Sequence, residues 1–271
     1  VINIDTFVRK TDAPPQMRYC DMGYKLVIMT TSDLIAKGAT PRYLLLSAVL
    51  PSNLDADIFS EIIQGIKKGC NKLGIRFVGG DLGEADDIIL TGVGIGITDK
   101  VILRSGAKPG DSVWVTGFFG DTAAALHYFL QEGKATEEVI SKVTEHFFNP
   151  KIDSNEALAI KKVASAAMDS SDGLAITLNT ISQKSQVRIT LHDIPISRWA
   201  TKYAEMNNLN PIDLALYGGE EFEIVFTSNY SEEEVIEIFR SCRARDPIKI
   251  GIVEEGEGCL LYTSPSPRDR G

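Results

Sequence analysis

Between Ile88 and Ile97 the sequence reads IILTGVGIGI, in which Gly92, Gly94 and Gly96 alternate with Val93, Ile95 and Ile97. In a strand, whose side chains alternate faces, that spacing leaves one face bare and lines the other with branched apolar groups. Interior strand glycine weakens a sheet, so the bare face calls for close approach by another segment. A contact across a subunit interface and a tightly packed element of the same subunit satisfy this equally.

The rest of the chain alternates between the two periodicities. Leu26–Met29 reads as a short apolar strand, with Thr30, Thr31, Ser32 and Asp33 as cap residues before a helix that starts at Leu34. Tyr43–Leu50 reads as a strand stopped by Pro51. Ser52 and Asn53 then cap a helix whose Ile58, Ile62, Ile66, Cys70 and Leu73 share one face, and Gly74 ends it. Arg76–Val78 is a strand running into a Gly79-Gly80-Asp81 turn. The turn-rich stretch RSGAKPGD, Arg104 to Asp111, separates a first domain (1–104) from a second (105–258). In the second, Ser112–Thr116, Ala164–Met168, Phe222–Phe226 and Ile248–Val253 read as strands, and Ser231 with Glu234 as a capping box. The fold class is α/β (α+β) in two domains, which suits 271 residues. The Pro/Ser/Arg-rich end, Cys259 to Gly271, lacks periodicity and is set aside as a non-native or disordered tail.

Several chemistries are excluded early. Lys and Arg total 28 against 37 Asp and Glu, a net charge of -9, which argues against nucleic acid or an anionic membrane as partner. No apolar run reaches the roughly 18 residues of a membrane span and no signal-peptide pattern opens the chain, so a cytoplasmic protein is expected. Four scattered cysteines and three unpaired histidines give no zinc site, redox pair or Ser-His-Asp triad. There is no P-loop, and the Gly92–Gly96 alternation is not a dinucleotide fingerprint.

Acidic residues instead recur at junctions between strands, turns and helices: Asp5, Asp33, Asp81, Asp121, Asp169, Asp172 and Glu220. Any one of them is explained as a helix cap. Asp169-Ser170-Ser171-Asp172 is different, because one turn needs only one cap and the second carboxylate repels the first unless a cation lies between them. Mg²⁺ fits, since it takes a few carboxylates together with water and phosphate oxygens. Gly79-Gly80-Asp81 adds exposed backbone N–H groups for a phosphate beside an acid for the metal. Arg104 and Lys108 are the candidate phosphate cations, solvated loop charges being the plainer explanation.

In this order the segments NIDTFV (Asn3–Val8), TSDLIAKGATP (Thr31–Pro41), GGD (Gly79–Asp81), RSGAKPGDSVWVTG (Arg104–Gly117), GD (Gly120, Asp121), MDSSDGL (Met168–Leu174) and GGEEFEIVFT (Gly218–Thr227) resemble the thiamine-monophosphate kinases, within the superfamily of aminoimidazole ribonucleotide synthetases. The resemblance implies ATP-dependent phosphorylation of thiamine monophosphate, with Mg²⁺, in a homodimer formed through a mixed sheet of the N-terminal domain. It implies Asp5, Asp33, Asp81, Asp169 and Asp172 as metal carboxylates, with Asn3 and the Ile4 carbonyl completing the shell. Gly80, Asp81, Arg104 and Ser171 would contact ATP, Glu220 the thiamine moiety, and Asp12, where many members have histidine, the substrate. Asp33, Asp81, Asp169 and Arg104 would carry catalysis. The family's GDDAA-like segment before NIDTFV and its C-terminal aromatic are not present in this sequence. Alternatives are another ATP-using member of the superfamily, of the aminoimidazole ribonucleotide or selenophosphate synthetase type, and a non-catalytic nucleotide- or cation-binding dimer.

Overall fold

The computed structural model describes residues 1–256 and 258–261. Its elements run β1 (Ile2–Val8), α1 (Arg9–Asp12), α2 (Tyr19–Ala36), β2 (Thr40–Leu50), α3 (Ala56–Leu73), β3 (Arg76–Glu84), β4 (Ile89–Ile97), β5 (Ser112–Val115), α4 (Asp121–Leu130) and α5 (Glu137–Phe148). They continue with α6 (Glu156–Val163), β6 (Ala166–Asp169), α7 (Leu174–Ser185), β7 (Arg188–Leu191), α8 (Arg198–Asn207), α9 (Pro211–Tyr217), β8 (Ile224–Ser228), α10 (Glu232–Ser241), β9 (Ile248–Glu254) and β10 (Gly258–Leu261).

These strands make two sheets. The first has the order β1-β4-β2-β3 and is antiparallel except for the parallel β2/β3 pair. The second, β10-β7-β9-β5-β8-β6, is antiparallel except at its β10/β7 edge. Arg104–Asp111 runs between them. Of the segment expected to be a tail, residues 259–261 lie in β10 beside β7, and 262–271 fall outside the described residues.

The expected Leu26–Met29 strand is absent: Tyr19–Ala36 is one continuous helix. Most of α2 is buried on all sides, so its sequence shows no amphipathic stripe and a short apolar run inside it mimics a strand. Thr30, Thr31 and Ser32, taken as caps, donate their hydroxyls back to the carbonyls of Leu26, Val27 and Met29 within the helix. The true stop is Gly38, at φ 67°, where Gly38 N–H bonds Ile35 O and Ala39 N–H bonds Leu34 O in a Schellman arrangement. Other boundaries shift for local reasons. Asp55, rather than Ser52 or Asn53, caps α3 by accepting from Asp57 N–H, while Gly74 ends it in the left-handed region as expected. Gly79-Gly80-Asp81 lies within β3 and is not a turn; a register shift opposite Leu44–Leu46 accommodates the glycines. Ser231 and Glu234 form the expected capping box.

The bare face of β4 resolves within one subunit. A methyl group at Gly92 would collide with Thr30 Oγ1, and one at Gly94 would stand 3.0 Å from Leu34 Cδ1, so α2 lies directly on the glycine row. The opposite face of the same sheet is uncovered. Cross-strand rows Ile4–Val93–Leu45 and Ile2–Ile95–Tyr43 point away from α2, with Ile4 64% and Ile97 61% exposed. The largest core joins α2, α3 and the first sheet to α6, Phe222, Phe226 and Phe239, so the two units share a continuous interior. Separate clusters fill the space under β5, β6 and α7 and between α4, α5 and α8.

Candidate active site

Asn3 and Asp5 lie on the α2 side of β1, with Asp5 paired across the ladder to the side-chain-free Gly92. Asn3 Nδ2 donates to Asp5 Oδ2 (2.8 Å) and to the Thr30 carbonyl (3.2 Å), tying the strand to the helix. One turn further along α2, Ser32 Oγ donates to Asp169 Oδ2 at 2.8 Å, and Asp33 Oδ1 faces the Arg104 guanidinium at 3.6 Å. Asp169 ends β6, its side chain buried and its Oδ1 without a hydrogen-bond partner. Two sheets, one helix and the connection between the sheets thus deliver Asn3, Asp5, Asp33, Asp169 and Arg104 to one place.

The charges there are mutually unfavourable. Burial pushes the Asp5 carboxyl up to about 6, opposed by the Asn3 hydrogen bond and reinforced by Asp33. Burial, and next the Asp33 charge, push Asp169 up to about 7 against the Ser32 bond and Arg104. Lys37 is lowered, by burial first and by Arg104 second, while Asp33 and Asp169 pull it the other way. Two carboxyls pushed up beside the charge of a third, one of them with an orphaned buried oxygen, suit a divalent cation. Among the described residues no three acidic, histidine or cysteine side chains form a metal cage by themselves. A hard cation there would need further oxygen ligands from water or a bound phosphate.

A stability test follows from these shifts. Carboxyls whose folded pKa lies above the ordinary 3.8 hold protons in the folded state that the unfolded state has released. Folding stability therefore falls as pH rises between roughly 4 and 7. With chelator present, the melting temperature is expected to decline across that window, and added Mg²⁺ to raise it more at pH 8 than at pH 5. A chelated protein with no such decline, or an equal Mg²⁺ effect at both pH values, would contradict the cluster's electrostatics.

The other predicted residues divide. Ser171, Asp172 and Glu220 gather in a second loop pair, where Glu220 N–H bonds the Ser171 carbonyl at 2.8 Å and Asp172 is exposed on its turn. Glu220 adopts φ 65° and sends Oε2 to Lys25 Nζ on α2, 2.8 Å away. Ile4 turns its side chain to the outer face of the first sheet, on an edge strand. Gly80 and Asp81 are not joined to the acidic cluster. Asp81 pairs with Ser47 on the outer face of β3, three strands from β1, or about 14 Å at ordinary strand spacing. Asp12 spends both oxygens locally, accepting from Val8 N–H and the Thr11 hydroxyl. A cavity of about 580 Å³ lined by Thr116, Asp121, His146, Trp199 and Arg245 lies elsewhere in the second unit, and of the junction acids it holds Asp121 alone.

Sequence reasoning missed Ser32, Lys37 and Lys25. With residues 19–36 read as one helix, Lys25, Ser32 and Asp33 fall at i, i+7 and i+8, a single stripe. The glycine row of β4 was the available signal, because it requires a long flat partner.

Comparison with known proteins places these features. The family model described as AIR synthase related protein, N-terminal domain, matches residues 1–98, and AIR synthase related protein, C-terminal domain, matches 108–262. A thiamine-monophosphate kinase of Nitrosopumilus maritimus is 32% identical over 262 residues, 96% of this chain and 83% of the relative. One from Pyrococcus horikoshii is 37% identical over 263 residues, 96% of this chain and 80% of the relative. Among solved structures, AaThiL complexed with AMPPCP and TMP superposes with a TM-score of 0.88 at 30% identity, covering 97% of this chain and 84% of that one.

Proposed function

The chain belongs to the AIR synthase related proteins and, within them, to the thiamine-monophosphate kinase family, and from that premise we propose that it transfers the γ-phosphoryl group of ATP to thiamine monophosphate. The product is thiamine diphosphate, made in the cytoplasm, with ATP as co-substrate. The observation that carries the reading is the convergence of Asp5, Asp33 and Asp169 with Arg104 where β1, α2 and β6 meet. Such a site repels a polyphosphate by itself and accepts one only through bound cations and the arginine.

The attacking group is a phosphate oxygen of thiamine monophosphate, already anionic at neutral pH, so no histidine or cysteine base is needed. The obstacle is repulsion between two polyanions, and it is met by positioning and charge stabilisation. Asp5, Asp33 and Asp169 would hold Mg²⁺, with Asn3 fixing the rotamer of Asp5 and Ser32 that of Asp169. When bound, Mg²⁺ neutralises phosphate charge and lets donor and acceptor approach. Arg104, more exposed than the acids around it, extends toward the phosphates and stabilises charge on the transferring group. From the β6–α7 turn Ser171 would reach the same phosphates and Asp172 would add a metal carboxylate, and Glu220 would meet the thiamine moiety.

The uncovered outer face of the first sheet supports a homodimer. Exposed apolar rows of this extent mark an association surface, and burying them against a second copy removes them from water. Gly80 and Asp81 sit on β3 of that sheet, so in the dimer the Asp81 carboxylate lies at the interface and its phosphate or metal role depends on assembly.

An acceptor panel tests the assignment. With ATP and Mg²⁺ constant, ADP release is expected with thiamine monophosphate and to stay at background with selenide, formylglycinamidine ribonucleotide or no acceptor. Comparable release with either alternative acceptor would reassign the chain within the superfamily; release that ignores the acceptor would make it an ATPase.

A further inference from the structure

We propose that Lys25 is a positioning residue for substrate recognition, holding the Glu220 carboxylate toward the thiamine moiety. The inference rests on the reading of Glu220 as the thiamine contact and adds a residue that no motif singled out. Lys25 is fully buried on α2, where an ammonium is costly unless paired. Its Nζ has two neighbours of the right kind: Glu220 Oε2 at 2.8 Å and the face of the Phe147 ring, 3.9 Å from the centroid. A buried point charge with one carboxylate partner and an aromatic floor fixes where that carboxylate can lie.

Glu220 needs such a restraint. Its backbone is in the left-handed region, it follows Gly218 and Gly219, and its N–H is clamped to the Ser171 carbonyl. A methyl group at Gly219 would stand 2.8 Å from the Ser171 carbonyl oxygen, so the loop pair is closely fitted and the side chain leaves it at a set angle. The Glu220 side chain stays 29% exposed, and among the described residues its Oε1 accepts no hydrogen bond. One oxygen is therefore tied to the interior and the other is offered outward. Such an acceptor selects a ligand with an N–H donor or a positive ring, and the aminopyrimidine and thiazolium of thiamine provide one each. Lys25 also lies two turns before Ser32 and Asp33, so one rigid helix sets the distance between the thiamine contact and the phosphoryl-transfer cluster.

Kinetics of Lys25→Met, Glu220→Gln and the double variant, with melting temperatures recorded for each, test this. Lys25→Met leaves Glu220 partly solvated, so the fold is expected to persist. The expected result is a rise of about tenfold in KM for thiamine monophosphate, with kcat and the KM for ATP within about threefold of wild type. The double variant should match Glu220→Gln alone, because both substitutions disable one contact. An unchanged KM for thiamine monophosphate in Lys25→Met, alongside a raised one in Glu220→Gln, overturns the positioning role and leaves the Glu220 reading intact. No effect in either variant removes the Glu220 reading and this inference with it. Equal damage to both KM values and kcat would make Lys25 a structural residue only.

Discussion

Replacing Asp169 by asparagine is expected to lower phosphoryl transfer from ATP to thiamine monophosphate by roughly 10³-fold, the scale on which loss of a preorganised electrostatic partner acts. The substitution is close to isosteric. The amide oxygen keeps the 2.8 Å bond from Ser32 Oγ, so the β6 end and the α2 stripe stay joined. What disappears is the negative charge that burial and Asp33 already disfavour. Melting temperature should therefore be unchanged or slightly higher while turnover collapses, an opposition that a packing defect does not produce. ADP release and thermal denaturation on the same preparation check both halves. Near wild-type turnover would remove Asp169 from the metal site, and a large drop in melting temperature would assign it a structural role.

A lysine in place of Val93 should divide the proposed homodimer. Val93 stands in the middle of the outer face, between Ile4 on β1 and Leu45 on β2. In a lone protomer the lysine stem lies along that surface with its ammonium in water, so folding is little affected. Between two copies the same charge is buried without a partner, at a cost of several kcal/mol. At about 1.4 kcal/mol per tenfold, this raises the dimer dissociation constant on the order of 10³-fold or more. Sedimentation should show a dimer for the wild type and a monomer for the variant at micromolar concentration. A wild type that sediments as a monomer, or a variant that dimerises equally well, would assign the apolar face to another partner.

How far the sequence discloses this arrangement depends on the range of the interaction involved. The Ser231–Glu234 box and the Gly74 stop are decided within one turn and are readable directly. The α2 helix is not, because a helix enclosed on nearly every side carries apolar residues all round, and only its tertiary surroundings distinguish it from a strand. The same enclosure hid Lys25 and Ser32, whose roles exist only across 195 and 137 residues of chain. Asp169 is legible as one of two acids in a turn that needs one cap, while Asp5 and Asp33 are distinguished from ordinary junction acids only by the family resemblance; the fold draws the three together. Asp81 was legible as a residue type and not as a place, since a glycine-bearing bulge keeps it in a strand facing away from the cluster. The glycine row of β4 announced a close neighbour without naming it, and that neighbour is the helix the sequence concealed.

The central claim, that an acidic cation site built by α2, β1 and β6 serves phosphoryl transfer between two phosphates, is tested most directly by following the reaction by phosphorus NMR. With ATP, thiamine monophosphate and Mg²⁺, the account predicts ADP and thiamine diphosphate appearing in equal amounts, and neither in the presence of excess EDTA. ATP loss without thiamine diphosphate, or thiamine diphosphate formed at an undiminished rate under EDTA, would contradict it.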